Sequence, residues 1–391
     1  MQRLQSSAIY QGVLKPILQI LAFILGTGFV LSILMILMAL LARGTAIDRV
    51  ILDHNGVDIM TFTLMNLPQV LIDGVVLGFV YAAIALGYTM VYGVLEFINF
   101  AHSEIFAIGA FVGVEVLIAL NNSGVLAAAS VVAAYGWLAL AIFAGMAGAG
   151  LTAVAVERVA YRPLRNAPRL VPLISAIGVS FFLQDAIRLV ESLTTGQFQR
   201  IMPPFGNFDS RLALFTLPIG PAGVNVNVEI RSIVVMVAAM LMVVGLNYMV
   251  NVTKIGKAIR AVAQSQNVAN LMGINVNRII SLTFLIGGAL GGAAGVLYGL
   301  KFTRIDPYVG FFPGLKAFTA AVMGGIGNLT GALLGGMVLG MLETFAGSYL
   351  SAFTMGAAGA EYKDILAFVI LIIALIFRPS GLLGEQVSQK A

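Results

Sequence analysis

The chain is a succession of long apolar stretches separated by short polar breaks. A helix that crosses a bilayer needs about 20 mostly apolar residues. Stretches of that kind cover 17–42, 67–95, 125–156, 170–190, 232–250 and 279–300, with shorter ones at 105–120 and 365–377. The stretch 317–345 is also apolar, but Met323-Gly-Gly-Ile-Gly-Asn-Leu-Thr-Gly331 interrupts it. The pattern predicts an all-α fold, a polytopic transmembrane helical bundle of about eight or nine spans. The length of 17–42, and its lack of a small-residue cleavage site, predict an anchor helix rather than a signal peptide.

Basic residues are grouped. Arg158, Arg162, Arg165 and Arg169 share one short loop with a single acid, Glu157; Lys254, Lys257, Arg260 and Arg278 share another that has none. Such loops face the cytoplasm, which places 191–231 outside and both termini inside. That topology requires 317–345 to enter the membrane and return, as two half-length helices meeting at the Gly-rich apex. Backbone that leaves a helix at membrane depth must be buried in protein or line a wet cavity, so the apex is not expected to face lipid. A second interruption lies at 87–104, and paired broken helices point to a transport site.

Composition removes whole classes of function. Hydrophobic residues make up 60% of the 391 and charged ones 10%, against about 25% charged in soluble domains, and mean hydropathy is +0.99. This is too little charge for a water-soluble surface. The net charge of +5 marks loop orientation rather than nucleic acid. Zero cysteines exclude disulfides and thiolate chemistry. His54 and His102 are isolated from metal-ligand partners, no cofactor is implied, and neither a nucleophile elbow nor a P-loop is present. ATP energy would have to come through a partner.

The candidate site residues form two groups. Asn99-Phe-Ala-His102-Ser-Glu104 is either an irregular element lining a substrate route, or a short cytoplasmic turn whose Glu104 favours the next helix's first turn. Gly324, Gly325, Gly327 and Asn328 at the apex join Asn99, His102 and Glu104 as candidates for the path. Among intramembrane acids, Asp73 and Glu115 are expected at interfaces, while Glu343 suits path-lining and structural pairing equally. The second group is a short basic amphipathic helix, with Gly256, Lys257, Arg260, Ala261 and Gln264, stopped by Gly273 and followed by Ile274. It suits lipid headgroups or a protein partner.

The order of motifs resembles the permeases of branched-chain amino acid ABC transporters, the H-type subunit. Gly87-Tyr-Thr-Met-Val-Tyr-Gly93 runs into Ile98-Asn-Phe-Ala-His-Ser-Glu104. Glu157-Arg-Val-Ala-Tyr-Arg-Pro-Leu164, Leu173-Ile-Ser-Ala-Ile-Gly178 and Phe182-Leu-Gln184 follow. Asp306-Pro-Tyr-Val-Gly310, Lys316-Ala-Phe-Thr-Ala-Ala-Val322 and Arg378-Pro-Ser-Gly-Leu-Leu-Gly384 complete the series. The resemblance covers about 67–385, which divides the chain into an extension at 1–66 with one extra helix, a permease domain at 67–385, and a cytoplasmic tail at 386–391. Three departures stand out: Ser103 replaces a small Gly, Gln264-Ser-Gln266 replaces acids in the docking segment, and the extension is additional.

The resemblance implies a non-catalytic transport subunit in a cell (inner) membrane. Its expected partners are a homologous second permease subunit, two ABC ATPase subunits docking on 256–274, and a periplasmic solute-binding protein. The amino-acid substrate, leucine, isoleucine or valine, would move inward by alternating access. The alternatives are the same fold importing urea, short amides or other amino acids, and a stand-alone carrier or channel. A membrane enzyme is the weakest reading, because no catalytic constellation is visible.

Overall fold

The computed structural model describes residues 15–95, 97–165, 167–168, 170–219, 223–378 and 380–384. The first 14 residues, Arg169 of the basic loop and the 386–391 tail lie outside them. Thirteen α-helices follow in order: α1 (Lys15–Ala42), α2 (Ala46–Asn55), α3 (Ile59–Leu95), α4 (His102–Asn122), α5 (Val131–Val156), α6 (Leu170–Thr194), α7 (Ile230–Val252), α8 (Lys254–Gln264), α9 (Gln266–Leu271), α10 (Val276–Phe302), α11 (Phe311–Gly324), α12 (Leu329–Phe353) and α13 (Lys363–Phe377). Eight helical segments are long and apolar enough to cross a membrane, and the fold is the expected all-α bundle. Among the described residues strand is confined to a two-residue pairing of β1 (Arg200–Ile201) with β4 (Arg304–Ile305) and a hairpin of β2 (Arg211–Leu217) with β3 (Val224–Glu229).

Lipid offers no hydrophobic drive to hold helices together, so close van der Waals approach must do it, and small residues permit that approach. The chain supplies them in register. On α3 and α12, a side chain on Gly78 would meet the Met337 Cα at 2.8 Å, and one on Gly336 would meet the Ala82 backbone N at 2.6 Å. Gly292 of α10 lies against Gly109 of α4 on one side and Gly145 of α5 on the other. Helices α3, α4, α5, α10 and α12 form the buried centre on these contacts.

α1 is the outer addition. Leu31 and Met35 pack with Val70, Met341, Phe345 and Tyr349, while Leu25 and Phe29 face outward. α3 starts at Ile59, so the division expected at residue 66 falls inside a continuous helix. Two polar breaks in the chain behave differently from one another. Leu95, at the end of α3, shares a cavity wall with Val276 at the start of α10, yet His102, the first residue of α4, lies against Gly291 in the middle of α10. Residues 97–101 therefore return the chain to the interior before α4 begins. Its turn is closed locally, with His102 N donating to Asn99 O at 3.1 Å and Ile105 N to Ala101 O at 3.0 Å.

The second break corrects one expectation. The chain does turn back at the Gly-rich apex, but the two arms are unequal: α11 has 14 residues and α12 has 25, a full span. α11 begins before 317 because Lys316, which appeared to bound the apolar stretch, is neutralised inside the protein. Its Nζ lies 2.8 Å from Glu343 and 2.7 Å from Asp364.

Introducing a bulky side chain at a helix crossing is expected to cost about 1–3 kcal/mol. Gly78→Leu and Gly336→Leu should thus lower the thermal midpoint of the detergent-solubilised protein by several degrees. Gly26→Leu in α1, where nothing lies within 4 Å of the added atom, should leave it unchanged. Fluorescence-detected size exclusion after heating measures all three.

Candidate functional site

The polar break is a core element, not a surface turn. Asn99, His102 and Glu104 are 3%, 1% and 1% exposed. Asn99 Oδ1 accepts from the Tyr161 hydroxyl at 2.6 Å, and Tyr161 belongs to a π-helical turn, Glu157–Tyr161, that extends α5. The His102 ring fills the gap between Gly87 and Gly291, edge-on to Tyr88 with ring centroids 4.7 Å apart. Glu104 occupies the space that a side chain on Gly310 would need, and Ser103 does the same for Gly314. The polar atoms of His102 and Glu104 meet few partners, and those they have, the Ile84 backbone for His102 and the Ser103 and Ser180 hydroxyls for Glu104, fall short of ordinary hydrogen-bond geometry. Buried polar groups this weakly bonded are costly.

The structure brings this break to the start of α11, where Phe318 also meets Tyr88 and Phe100 at 6.0 and 5.8 Å. It does not bring the break to the apex, which is at the far end of α11. There, Gly324 packs on Gly331, and Gly325 and Gly327 adopt φ values of +104° and +94° that L side chains rarely tolerate. The carbonyls freed where α11 ends are capped by the C-terminal segment: Leu382 N donates to Met323 O at 2.7 Å and Leu383 N to Gly324 O at 2.9 Å. Asn328 uses both ends of its amide for structure. Its Oδ1 accepts from Gly331 N at 3.0 Å, capping α12, and its Nδ2 donates to Leu383 O at 2.9 Å.

Gly327 and Asn328 nevertheless line a cavity of about 1000 Å³ between α3, α7 and α8, and Arg260 of the basic amphipathic helix lines it too. The sequence placed these residues in separate groups; the fold joins them. In α8 itself, Thr253 Oγ1 accepts from Gly256 N at 3.1 Å and caps the helix. A side chain on Gly256 would strike the Met249 and Val250 carbonyls. Arg260 is exposed but donates to Val250 O, tying α8 to the end of α7. Lys257 and Gln264 are exposed, Ala261 is half-buried, and Gly273 takes φ +83°. Gly273 and Ile274 line a separate cavity of about 840 Å³ with Arg162 and Arg165. Beyond Ser265 the short α9 carries Leu271, and Met272 follows; they are 85% and 77% exposed.

Three ion-pair centres escaped the sequence reading. Glu343, left open between two roles, is structurally paired: besides Lys316 it accepts from the Tyr81 hydroxyl at 2.7 Å and lies 3.5 Å from Lys363. The isolated Lys in an apolar segment was the available signal. Glu157 is fully buried, accepts from Arg162 at 3.0 Å, Ser281 at 2.7 Å and Arg165, and fixes the basic loop to α10. On the opposite side, Glu229 accepts from Arg231 at 2.8 and 3.1 Å and lies 3.5 Å from Lys301. The Arg231 guanidinium, helped by Lys301, holds the Glu229 carboxyl down at about 2 from an ordinary 4.5. Among the acids placed at interfaces by sequence, Glu115 pairs with Arg200. Asp185 and Arg188, three residues apart on α6, pair at 3.0 Å on the surface.

A bundle of glycine-packed helices with two interrupted segments at its centre is the architecture of a polytopic membrane transport protein. Residues 70–375 match the family model described as the branched-chain amino acid transport system permease component, and the chain belongs to that family. The high-affinity branched-chain amino acid transport system permease protein LivH of Escherichia coli K12 is 40% identical over 327 residues, 82% of this chain and 97% of LivH. The corresponding permease protein BraD of Pseudomonas aeruginosa is 40% identical over 323 residues, with the same coverage. The ribose import permease protein RbsC of E. coli K12 is 27% identical over 162 residues, 40% of this chain and 46% of RbsC. No solved structure matches.

Removing one partner from a buried ion pair leaves the other charge uncompensated, at a cost of about 3–5 kcal/mol. Lys316→Met should therefore destabilise strongly, and Lys316→Met with Glu343→Gln should recover part of the loss. A double-mutant cycle on thermal midpoints measures the coupling. The Glu229 cluster gives a pH signature. A carboxyl depressed in the folded state contributes stability above its unfolded value and loses it as pH falls through the folded one. The stability difference between wild type and Glu229→Gln should be constant from neutral pH to about 4.5 and shrink towards pH 2. Midpoints measured across that range test this.

Proposed function

We propose that this chain is the membrane-spanning permease subunit of an ATP-driven importer that moves branched-chain amino acids, leucine, isoleucine and valine, inward by alternating access. The observation that carries the proposal is the 40% identity to LivH and BraD across 97% of each, joined to the broken-helix centre. Helix ends in such a centre offer free backbone N–H groups and dipole ends to a carboxylate in transit. In the state described, Asn99, His102 and Glu104 are closed over, so the path opens only when α4 separates from the start of α11. Their unmet hydrogen-bonding capacity favours that separation once a polar solute or water can enter.

The chain contains no P-loop, so ATP hydrolysis belongs to two separate ATPase subunits. Docking on them falls to α8 and α9: Lys257 and Gln264 present a polar face, and Leu271 and Met272 an apolar tip. Gly256, Ala261, Gly273 and Ile274 shape the element, and Arg260 holds it to α7, so motion of α8 passes directly into the wall of the 1000 Å³ cavity. A homologous second permease subunit completes the pathway, a periplasmic binding protein delivers the amino acid, and lipid covers the remaining apolar faces. The basic loops support a cytoplasmic position for α8, α9 and both termini, with the protein in the cell's inner membrane.

Deletion of the gene in a strain without a redundant importer should abolish high-affinity leucine uptake, and plasmid-borne copies should restore it. Normal leucine import after deletion, or restoration only of urea or amide uptake, reassigns the substrate. In the assembled importer, Lys257→Glu should lower uptake and transport-coupled ATPase activity together by about tenfold, equivalent to ~1.4 kcal/mol of docking energy. Uptake unaffected by that change places docking elsewhere.

A further inference from the structure

A cavity of about 440 Å³ opens between the first half of α3, the hairpin strand β3, the start of α7 and the end of α10, on the side opposite the basic loops. Its volume lies in the range of small-molecule sites. Ile72, Leu77 and Phe302 give it apolar wall, while Asp73, Lys301 and Arg211 bring both signs of charge to its lining. The charged groups keep bonding capacity in reserve. Asp73 Oδ2 accepts from the Gln69 amide at 3.1 Å, and its other oxygen has no hydrogen-bond partner among the described residues. Lys301 Nζ donates to Ser232 at 2.8 Å and approaches Glu229 at 3.5 Å, leaving a third donor. Arg211 is mostly exposed and reaches Glu229 only at 3.9 Å.

The mixture of charges selects the ligand. A bare cation would face Lys301 and Arg211, and a bare anion would face Asp73 and Glu229. A neutral sugar would leave the separated charges unused. An α-amino acid zwitterion satisfies both signs, and a branched aliphatic side chain suits Ile72, Leu77 and Phe302. Gln69 makes the site depend on the fold as a unit: its Nε2 orients Asp73, and its Oε1 accepts from Asn227 N at 3.1 Å, so β3 is fastened over α3.

The geometry points to a receiving subsite for the free branched-chain amino acid, with Asp73 taking the ammonium, Lys301 and Arg211 the carboxylate, and Ile72, Leu77 and Phe302 the side chain. This rests on the importer reading and adds a station before the closed centre, where the substrate rests between release by the binding protein and passage inward.

Photo-leucine, an analogue carrying a diazirine, tests the subsite in the complete importer reconstituted in liposomes with its binding protein. Irradiation is expected to place adducts on peptides containing Ile72–Leu77 and Phe302, competed by excess leucine but not by glycerophosphoethanolamine. Asp73→Asn and Lys301→Met, each confirmed by size exclusion to assemble with the other subunits, should reduce these adducts at least fivefold and leucine uptake at least tenfold. Ile72→Trp, which narrows the cavity without removing a charge, should remove the adducts as well. Adducts confined to other segments, or leucine transport unaffected by all three substitutions, overturn the subsite and leave the importer standing. Competition by glycerophosphoethanolamine instead of leucine assigns the cavity to a lipid headgroup and overturns it too. A wild-type complex that moves no leucine overturns the importer reading itself, and the subsite with it.

Discussion

Inside a bilayer a backbone N–H or C=O that is not bonded within protein has nothing to bond to, and this constraint shapes every unusual feature of the molecule. The chain leaves helical geometry at two central places. At 97–101 the carbonyls are satisfied by tight local turns: Asn99 O accepts from His102 N, Ala101 O from Glu104 N and Ile105 N, and Phe100 O from the Ser103 hydroxyl. At the apex the Met323 and Gly324 carbonyls are satisfied from far away in sequence, by Leu382 N and Leu383 N, while the Asn328 amide caps α12 and donates to Leu383 O. The irregular backbone needed for a transport path exists only because other parts of the chain complete its hydrogen bonds.

The close packing of the surrounding helices follows from the same solvent. With no water to expel, α3, α4, α5, α10 and α12 hold together by backbone approach through Gly and Ala, and a single added methyl group has nowhere to go at several of these crossings. A centre packed this tightly moves in discrete steps rather than by gradual deformation. The weakly bonded polar groups of His102 and Glu104, buried beside Gly310 and Gly291, sit where the two interrupted segments meet. That is a natural place for such a step to begin. Arg260, at the other end of α11, belongs both to α8 and to the wall of the cavity beneath the apex.

Charge is scarce, and part of it ties elements together. Glu157 fixes a basic loop to α10, Lys316 and Glu343 join α11 to α12 and α13, and Glu229 with Arg231 and Lys301 organises the opposite side. The chain reads as a membrane protein because charge is rare, and it coheres because the few charges are paired across helices that are distant in sequence.

The sequence by itself determined the all-helical class, most of the spans, the basic loops, the return at the Gly-rich apex and the family, because hydrophobic length, Gly clusters and motif order are local properties. It also located the polar break and the short basic helix α8. It did not determine that α11 is short and α12 long, since Lys316 reads as a boundary until Glu343 and Asp364 are seen beside it. Nor did it reveal that Asn328 is a structural clamp, or that Asp73 and Lys301 share one cavity. Those facts depend on which side chains from separate helices meet, and burial and charge compensation between distant residues are set only when the chain is packed.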